Sequence, residues 1–286
     1  MPFHKSATAT LQEPLISLSQ WEKLHPSSFG HKTASFSKIA GDTSRFMLSH
    51  CTIMASVMTE EGSQDWLIKP ECSQFCNQNH DAWENSILKD SYRSFVGAFN
   101  FLEHNQNTKQ AKGHIIDAVL RKVHLTADVW VYFVDILVAT DLAHKDLVKK
   151  IRSGEIKYMS MGCVTDLVIC SYCGQKVRED GQYCSHLKYS KGQFLPDDDG
   201  VARIVSELCG SKELPNGGVK FVEASWVEIP AFPGASLREI ISNDWEGPKT
   251  KFTKDASDLK LAKAASTLIL PGPSALMAEI NNKLKW

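Results

Sequence analysis

Residues 129–164 read VWVYFVDILVATDLAHKDLVKKIRSGEIKYMSMGCV, and this stretch decides the fold class. Val129 to Ala139 is apolar at nearly every position and rich in β-formers, which predicts a strand buried on both faces. Asp141 then offers an N-cap, and Ala143, Leu147, Val148 and Ile151 keep helical spacing. Lys149, Lys150 and Arg152 suit the C-terminal end of the helix dipole, and Gly154 supplies a stop. Directly afterwards Ile156, Tyr158, Ser160, Gly162 and Val164 alternate with Lys157, Met159, Met161 and Cys163, a second strand with both faces largely buried. The β-helix-β order places Ser160 inside a sheet, with the long buried strand expected nearby.

Working outward, Phe95 to Leu102 form an apolar block that ends at the polar run His104–Thr108. Ile115 to Val123 fits a strand or a short helix. Val219 to Ile229 is a further strand, closed by Pro230 and by Pro233-Gly234. Residues 1–48 are rich in Ser, Thr and Lys and read as a loosely structured arm. Residues 54–66 mix polar and apolar residues without period, and Cys72 to His80 is dense in Asn and Gln. Beyond Ser242 the chain turns linker-like and ends in a Lys/Ala/Leu helix, Ala256 to Leu268, before the Pro271-Gly272-Pro273 break. The expected class is α+β, mainly β. Residues 1–90 form an arm and lead-in, 91–240 the principal domain, and 241–286 a linker and helical tail.

Charge excludes some partners. Lys and Arg number 32 against 33 Asp and Glu, so a net charge of −1 offers no global attraction to nucleic acid or to an anionic membrane. The start of the chain has no apolar signal core. The apolar run 129–139 contains Asp135 and is too short to span a bilayer. A soluble, intracellular chain is expected, with thiols reduced or metal-bound.

Four of the eight cysteines fall between residues 170 and 209. Cys170-x-x-Cys173-Gly174 has the form of a zinc knuckle, since two thiolates at this spacing can reach one ion while the glycine turns the chain beneath it. Cys184 with His186, or Cys209, would complete a tetrahedron. A structural zinc clip folding an insertion at about 168–212 is expected, ahead of a redox pair, which would open a helix after a strand. Asp197-Asp198-Asp199-Gly200 reads as an exposed acidic turn, because the later ligands of a calcium loop are missing. Lys176, Arg178, Lys188 and Lys191 raise the alternative of a nucleic-acid-binding zinc module, but few aromatics interleave them.

Ser160 is a buried-strand serine followed by Met161-Gly162, where a glycine would let a backbone N–H face an oxyanion. Such a nucleophile needs a histidine base, and His104, at the start of a polar loop, is the best placed of ten histidines. Taken alone, a serine in a strand is more often a satisfied core hydroxyl. Cys163 is a rival, but its apolar surroundings would leave the thiol inert.

Three segments, in order, resemble the capsid-maturation (prohead) proteases of tailed phages, which share their fold with the herpesvirus assemblins. They are Tyr92–Leu102 leading to Glu103-His104-Asn105-Gln106, then Val134–Thr140 with the helix and Gly154–Gly162, and last Val222–Ala235 with its Glu223-Ala224-Ser225-Trp226-Val227-Glu228-Ile229-Pro230-Ala231 strand. Together they span roughly residues 91–240. The resemblance implies an assemblin-like β-barrel core with surrounding helices and a Cys-rich zinc-binding insertion. It implies a serine endopeptidase with Ser160 as nucleophile, His104 as base and Glu223 as third member, with Asp135, Asp166 and His186 as rivals for that last role. Met161 or Gly162 would supply an oxyanion N–H. The implied substrates are scaffold or core proteins, the major capsid protein and the chain itself, inside a procapsid in the host cytoplasm. Self-association fits this picture; a membrane or nucleic-acid partner does not. The alternative is an inactive protease-fold core or scaffold protein of the procapsid.

Overall fold

A computed structural model describes residues 3–4, 45–60, 66–232 and 234–241. Most of the arm, the linker and the helix expected at Ala256 to Leu268 lie outside the described residues. The chain divides into two compact units, residues 1–195 with 203–243, and residues 196–202 with 244–286. Among the described residues no helix is long and apolar enough to cross a membrane.

The long hairpin of β5 (Gly113–His124) and β6 (Trp130–Asp141) is antiparallel from Gly113↔Thr140 to His124↔Trp130. Val134, Ile136 and Val138 of β6 enter the main core, whereas Leu137 and Ala139 pack with Leu48 in a smaller cluster on the other face. That two-sided burial is why the segment shows no polar alternation.

On the far side of β6 lies β2 (Phe46–Ala55), buried along nearly its whole length. It begins within the stretch read as an arm and runs into the segment read as unpatterned. The physical reason is a buried polar network that interrupts the apolar signal. Thr52 Oγ1 donates to Asp135 Oδ1 at 2.6 Å, Arg121 Nε donates to Asp135 Oδ2 at 2.9 Å, and His50 Nε2 stands 3.6 Å from the same oxygen. Burial alone would raise the Asp135 pKa, but the His50 imidazole and the Arg121 guanidinium outweigh it and hold the carboxyl well below the usual range. A depressed folded-state value means stability that is fully present above the unfolded value near 3.8 and is lost as pH falls below it. Removing this carboxylate leaves the half-buried Arg121 guanidinium and the Thr52 hydroxyl without their acceptor, so Asp135→Ala is expected to cost about 3–5 kcal/mol, read from the urea-unfolding midpoint.

The eight-stranded sheet runs β1-β7-β13-β4-β5-β6-β2-β14, with β1 (Phe3–His4), β4 (Phe99–Leu102), β7 (Tyr158–Thr165), β13 (Val219–Val227) and β14 (Leu237–Ile241). The expected neighbourhood of Ser160 is therefore corrected, since β13, β4 and β5 separate β7 from β6. The expected barrel is corrected as well. Among the described residues the sheet curls without closing by a ladder, and its two sides meet at the isolated bridge Tyr158↔Ser236. There Leu237 N donates to Lys157 O and Met159 N to Ala235 O, while Thr52 N donates to Ser236 O. Beyond this bridge β14 turns away along β2, so β7 gains no second full partner on that side.

Among the described residues three α-helices accompany the sheet: α1 (Asn85–Ser91), α2 (Lys145–Arg152) and α3 (Ser185–Tyr189). In α2, Leu147, Val148 and Ile151 are buried, and Gly154 ends it at φ +76°. Its N-cap position is His144. Asp141, the expected cap, instead accepts Ala143 N at 2.9 Å in the turn before the helix. The Cys-rich insertion adds a four-stranded sheet, β3-β12-β8-β9, from β3 (Asp81–Ala82), β8 (Val168–Cys170), β9 (Lys176–Val177) and β12 (Glu207–Cys209). β3 comes from the lead-in, so residues before 91 pack into the insertion, and Lys191 Nζ locks them there by reaching Asp81 at 2.7 Å and Glu207 at 2.6 Å. β10 (Phe194–Pro196) and β11 (Ala202–Ile204) flank the acidic turn. In that turn Asp197 Oδ1 accepts the Asp199 and Val201 N–H groups, so the carboxylate is engaged by its own backbone.

Candidate functional site

On β7 the residues Met159, Met161 and Cys163 enter the hydrophobic core, which sends Ser160, Gly162 and Val164 to the opposite face. Cys163 is thus a core residue turned away from Ser160. On β13, Ala224 and Trp226 enter the core and Glu223 and Ser225 face the other way. The antiparallel register sets Ser225 opposite Ser160 and Glu223 opposite Gly162, with a bulge between Phe221 and Glu223. Directly opposed residues hold their Cβ atoms about 4.5–5.5 Å apart, so these four positions form one patch.

His104 enters the patch from the turn after β4, the parallel neighbour of β13. Glu103 and His104 both take left-handed backbone, at φ 49° and 54°. Two such residues in a row are held only where the surroundings over-determine them. Here Glu103 N donates to Trp226 O, and Glu103 Oε1 accepts Glu228 N at 2.7 Å. The turn is thereby pinned to both ends of the β13 exit. His104 Nδ1 then lies 2.7 Å from Glu223 Oε1, and Glu223 is 1% exposed against 19% for the imidazole. An Nδ1–H donating to a buried carboxylate places the basic lone pair on Nε2, the tautomer a general base requires.

Ser160 is 2% exposed, and its Oγ has no hydrogen-bond partner among the described residues. A buried hydroxyl left unpaired is uncommon and costs stability, so it marks either a waiting nucleophile or a partner yet to arrive. No hydrogen bond joins it to His104 in this conformation; catalytic hydrogen bonds are often long before substrate binds. A peptide carbonyl can reach Ser160 only once the groups covering it move aside.

Gly162 is what lets the carboxylate sit there. A Cβ at that position would fall 2.7 Å from Glu223 Oε1 and 3.1 Å from its Cγ. The carboxylate is bonded at both oxygens and cannot yield cheaply. Gly162→Ala is therefore expected to push Glu223 off His104, at about 1–3 kcal/mol of stability by overpacking. Thermal unfolding together with His104 chemical shifts would check this; an unshifted His104 would contradict it.

The rivals for the third position lie elsewhere. Asp135 belongs to the network on β6, Asp166 is exposed after β7, and His186 sits in the cysteine cluster. What sequence reasoning missed is Ser225, two residues beyond Glu223 on the same face, and Glu103. The first was legible as Glu-x-Ser on a strand; the second carries no signal without the fold.

The second constellation joins Cys170, Cys173, Cys184 and His186, whose ligand atoms all lie within 4.8 Å of one another. Cys170 is buried, Cys173 exposed, and Cys184 and His186 half-buried. Cys209 is not among them; its Sγ faces the Glu207 carbonyl. Among the fourth-ligand candidates the fold thus selects His186, whose Nδ1 is buried without a partner and whose ring lies 4.7 Å from that of Tyr172. Burial pushes the Cys170 thiol up to about 12 although the Cys173 and Tyr172 backbones act to lower it. At Cys184 burial also opposes ionisation, but the Leu187 backbone and the two neighbouring thiols prevail and lower the pKa. Gly174, at φ +70°, packs under Trp66, where any Cβ would lie 2.3 Å from the indole. Three thiols, one orphaned imidazole nitrogen and inward-facing backbone groups form a donor set that can hold a metal ion. As for a nucleic-acid surface, three of the four basic residues considered are engaged, Lys176 with Glu213, Arg178 with the Asp166 carbonyl, and Lys191 with Asp81 and Glu207.

Compared with known families, characterised proteins and solved structures, the chain matches no family model, no characterised protein and no solved structure.

Proposed function

We propose that this chain is a serine endopeptidase of the prohead-protease kind. Ser160 attacks a peptide carbonyl, His104 accepts its proton and returns it to the leaving amine, and Glu223 orients and stabilises the imidazolium. The observation that carries the reading is the 2.7 Å pairing of His104 with buried Glu223 on the sheet face that presents an unpartnered Ser160. The substrates in this reading are scaffold or core proteins, the major capsid protein and the chain itself, within an assembling procapsid in the host cytoplasm. That part rests on the resemblance of the three segments. In the same reading the Cys170, Cys173, Cys184 and His186 set holds structural zinc and acts as a clip for the insertion.

One observation favours the alternative, an inactive core or scaffold protein that keeps these residues: the burial of Ser160. A fluorophosphonate probe separates the two. In its reaction the Ser160 Oγ–P bond forms, the P–F bond breaks with fluoride leaving, and the hydroxyl proton passes to His104. Mass spectrometry should place the adduct on Ser160 of the full chain. Labelling no faster than that of the surface serines would reject the enzyme.

A further inference from the structure

We infer that Ser225 is a positioning residue: its hydroxyl holds the Glu223 carboxylate in the place and plane that meet His104. This deepens the peptidase reading and rests on it for the catalytic consequence, while the geometry stands by itself. Ser225 Oγ donates to Glu223 Oε2 at 2.6 Å, and Oε1 receives His104 Nδ1 at 2.7 Å. Each carboxylate oxygen therefore has its own partner. Ser225 and Glu223 are both almost wholly enclosed, so no solvent replaces either bond. Gly162 closes a third side, with the position of its missing Cβ 2.7 Å from Oε1. The carboxylate can keep both bonds in one orientation only.

Ser225 lies opposite Ser160 in the β7–β13 register, yet no hydrogen bond joins the two hydroxyls: Ser225 donates to Glu223, and Ser160 Oγ stays unpaired. Without the Ser225 hydroxyl, Glu223 Oε2 has no donor and the carboxylate turns toward other partners. The His104 Nδ1–H bond is then made only part of the time, and the imidazolium loses stabilisation.

The test uses the full chain with Ser225→Ala and Ser225→Thr, the latter keeping a hydroxyl. In the first readout, the His104 imidazole is titrated by NMR. Ser225→Ala should lower its pKa by about half a unit or more, and Ser225→Thr should restore it. In the second, the rate of fluorophosphonate labelling at Ser160 should fall about tenfold in Ser225→Ala and recover in Ser225→Thr. A His104 titration in Ser225→Ala that coincides with the parent overturns the inference, even if the variant is less stable. Should Ser225→Ala fail to fold, Ser225→Cys, similar in size and a poor donor, carries the same comparison. If the parent protein takes no label at Ser160, the peptidase reading falls, and the titration still decides the role of Ser225.

Discussion

Ser160→Ala should reduce peptide-bond cleavage by about five to six powers of ten, to the level left by binding alone. The size of the loss follows from the way nucleophile and base act as a unit: with no hydroxyl there is no proton for His104 to accept. The substitution removes one buried, unpartnered oxygen, so the fold should be unharmed or slightly stabilised. That separates it from most losses of activity by mutation. The measurement is the rate of self-cleavage and of scaffold-protein processing on co-expression, with thermal unfolding of the same preparation. Undiminished processing by Ser160→Ala would defeat the proposal. His104→Ala should come close to the same loss.

The second large effect concerns the metal. Purified protein should hold about one equivalent of zinc, and Cys170→Ser or Cys184→Ser should leave under about a tenth. Cys170 is the decisive member of the cluster, being the buried one and the last residue of β8. Only Asp166 and Leu167 separate β8 from the serine strand β7, and Gly210 N donates to Leu167 O. Loss of the ion should therefore expose residues 168–212 to limited proteolysis and also slow probe labelling at Ser160. Metal binding must displace the thiol protons, and the Cys170 thiol is pushed up to about 12, so affinity should rise steeply with pH through the neutral range. Full zinc retention by Cys170→Ser, by elemental analysis, would show that the cluster is not the site.

The sequence was legible where one physical requirement governed a segment. Val129 to Ala139, the α2 stop at Gly154 and the strand at Val219 each carry one pattern with one cause. The clustering of Cys170, Cys173, Cys184 and His186 was likewise readable, because a spacing that can serve one small ion is short-range. β2 was illegible because Ser49, His50 and Thr52 are polar and yet enclosed. Asp135, the partner of His50 and Thr52, lies on another strand, so the compensation cannot be seen locally. The meeting of the two sides of the sheet at Ser236 has no pattern to announce it. The His104–Glu223 pairing came from resemblance; periodicity alone would not have joined residues 119 positions apart.

The strand order has a consequence for how the molecule comes into being. β13 is synthesised after both β4 and β7, yet it lies between them in the sheet. Until it inserts, the strand that joins the turn bearing His104 to the strand bearing Ser160 is missing. A growing chain that ends before Val227 thus lacks the strand that gathers the patch, whatever else has folded. Contacts between such distant segments form late, since loop closure must precede them. On the peptidase reading proposed above, such a chain would in this way stay harmless on the ribosome, with its activity timed by the order of its strands.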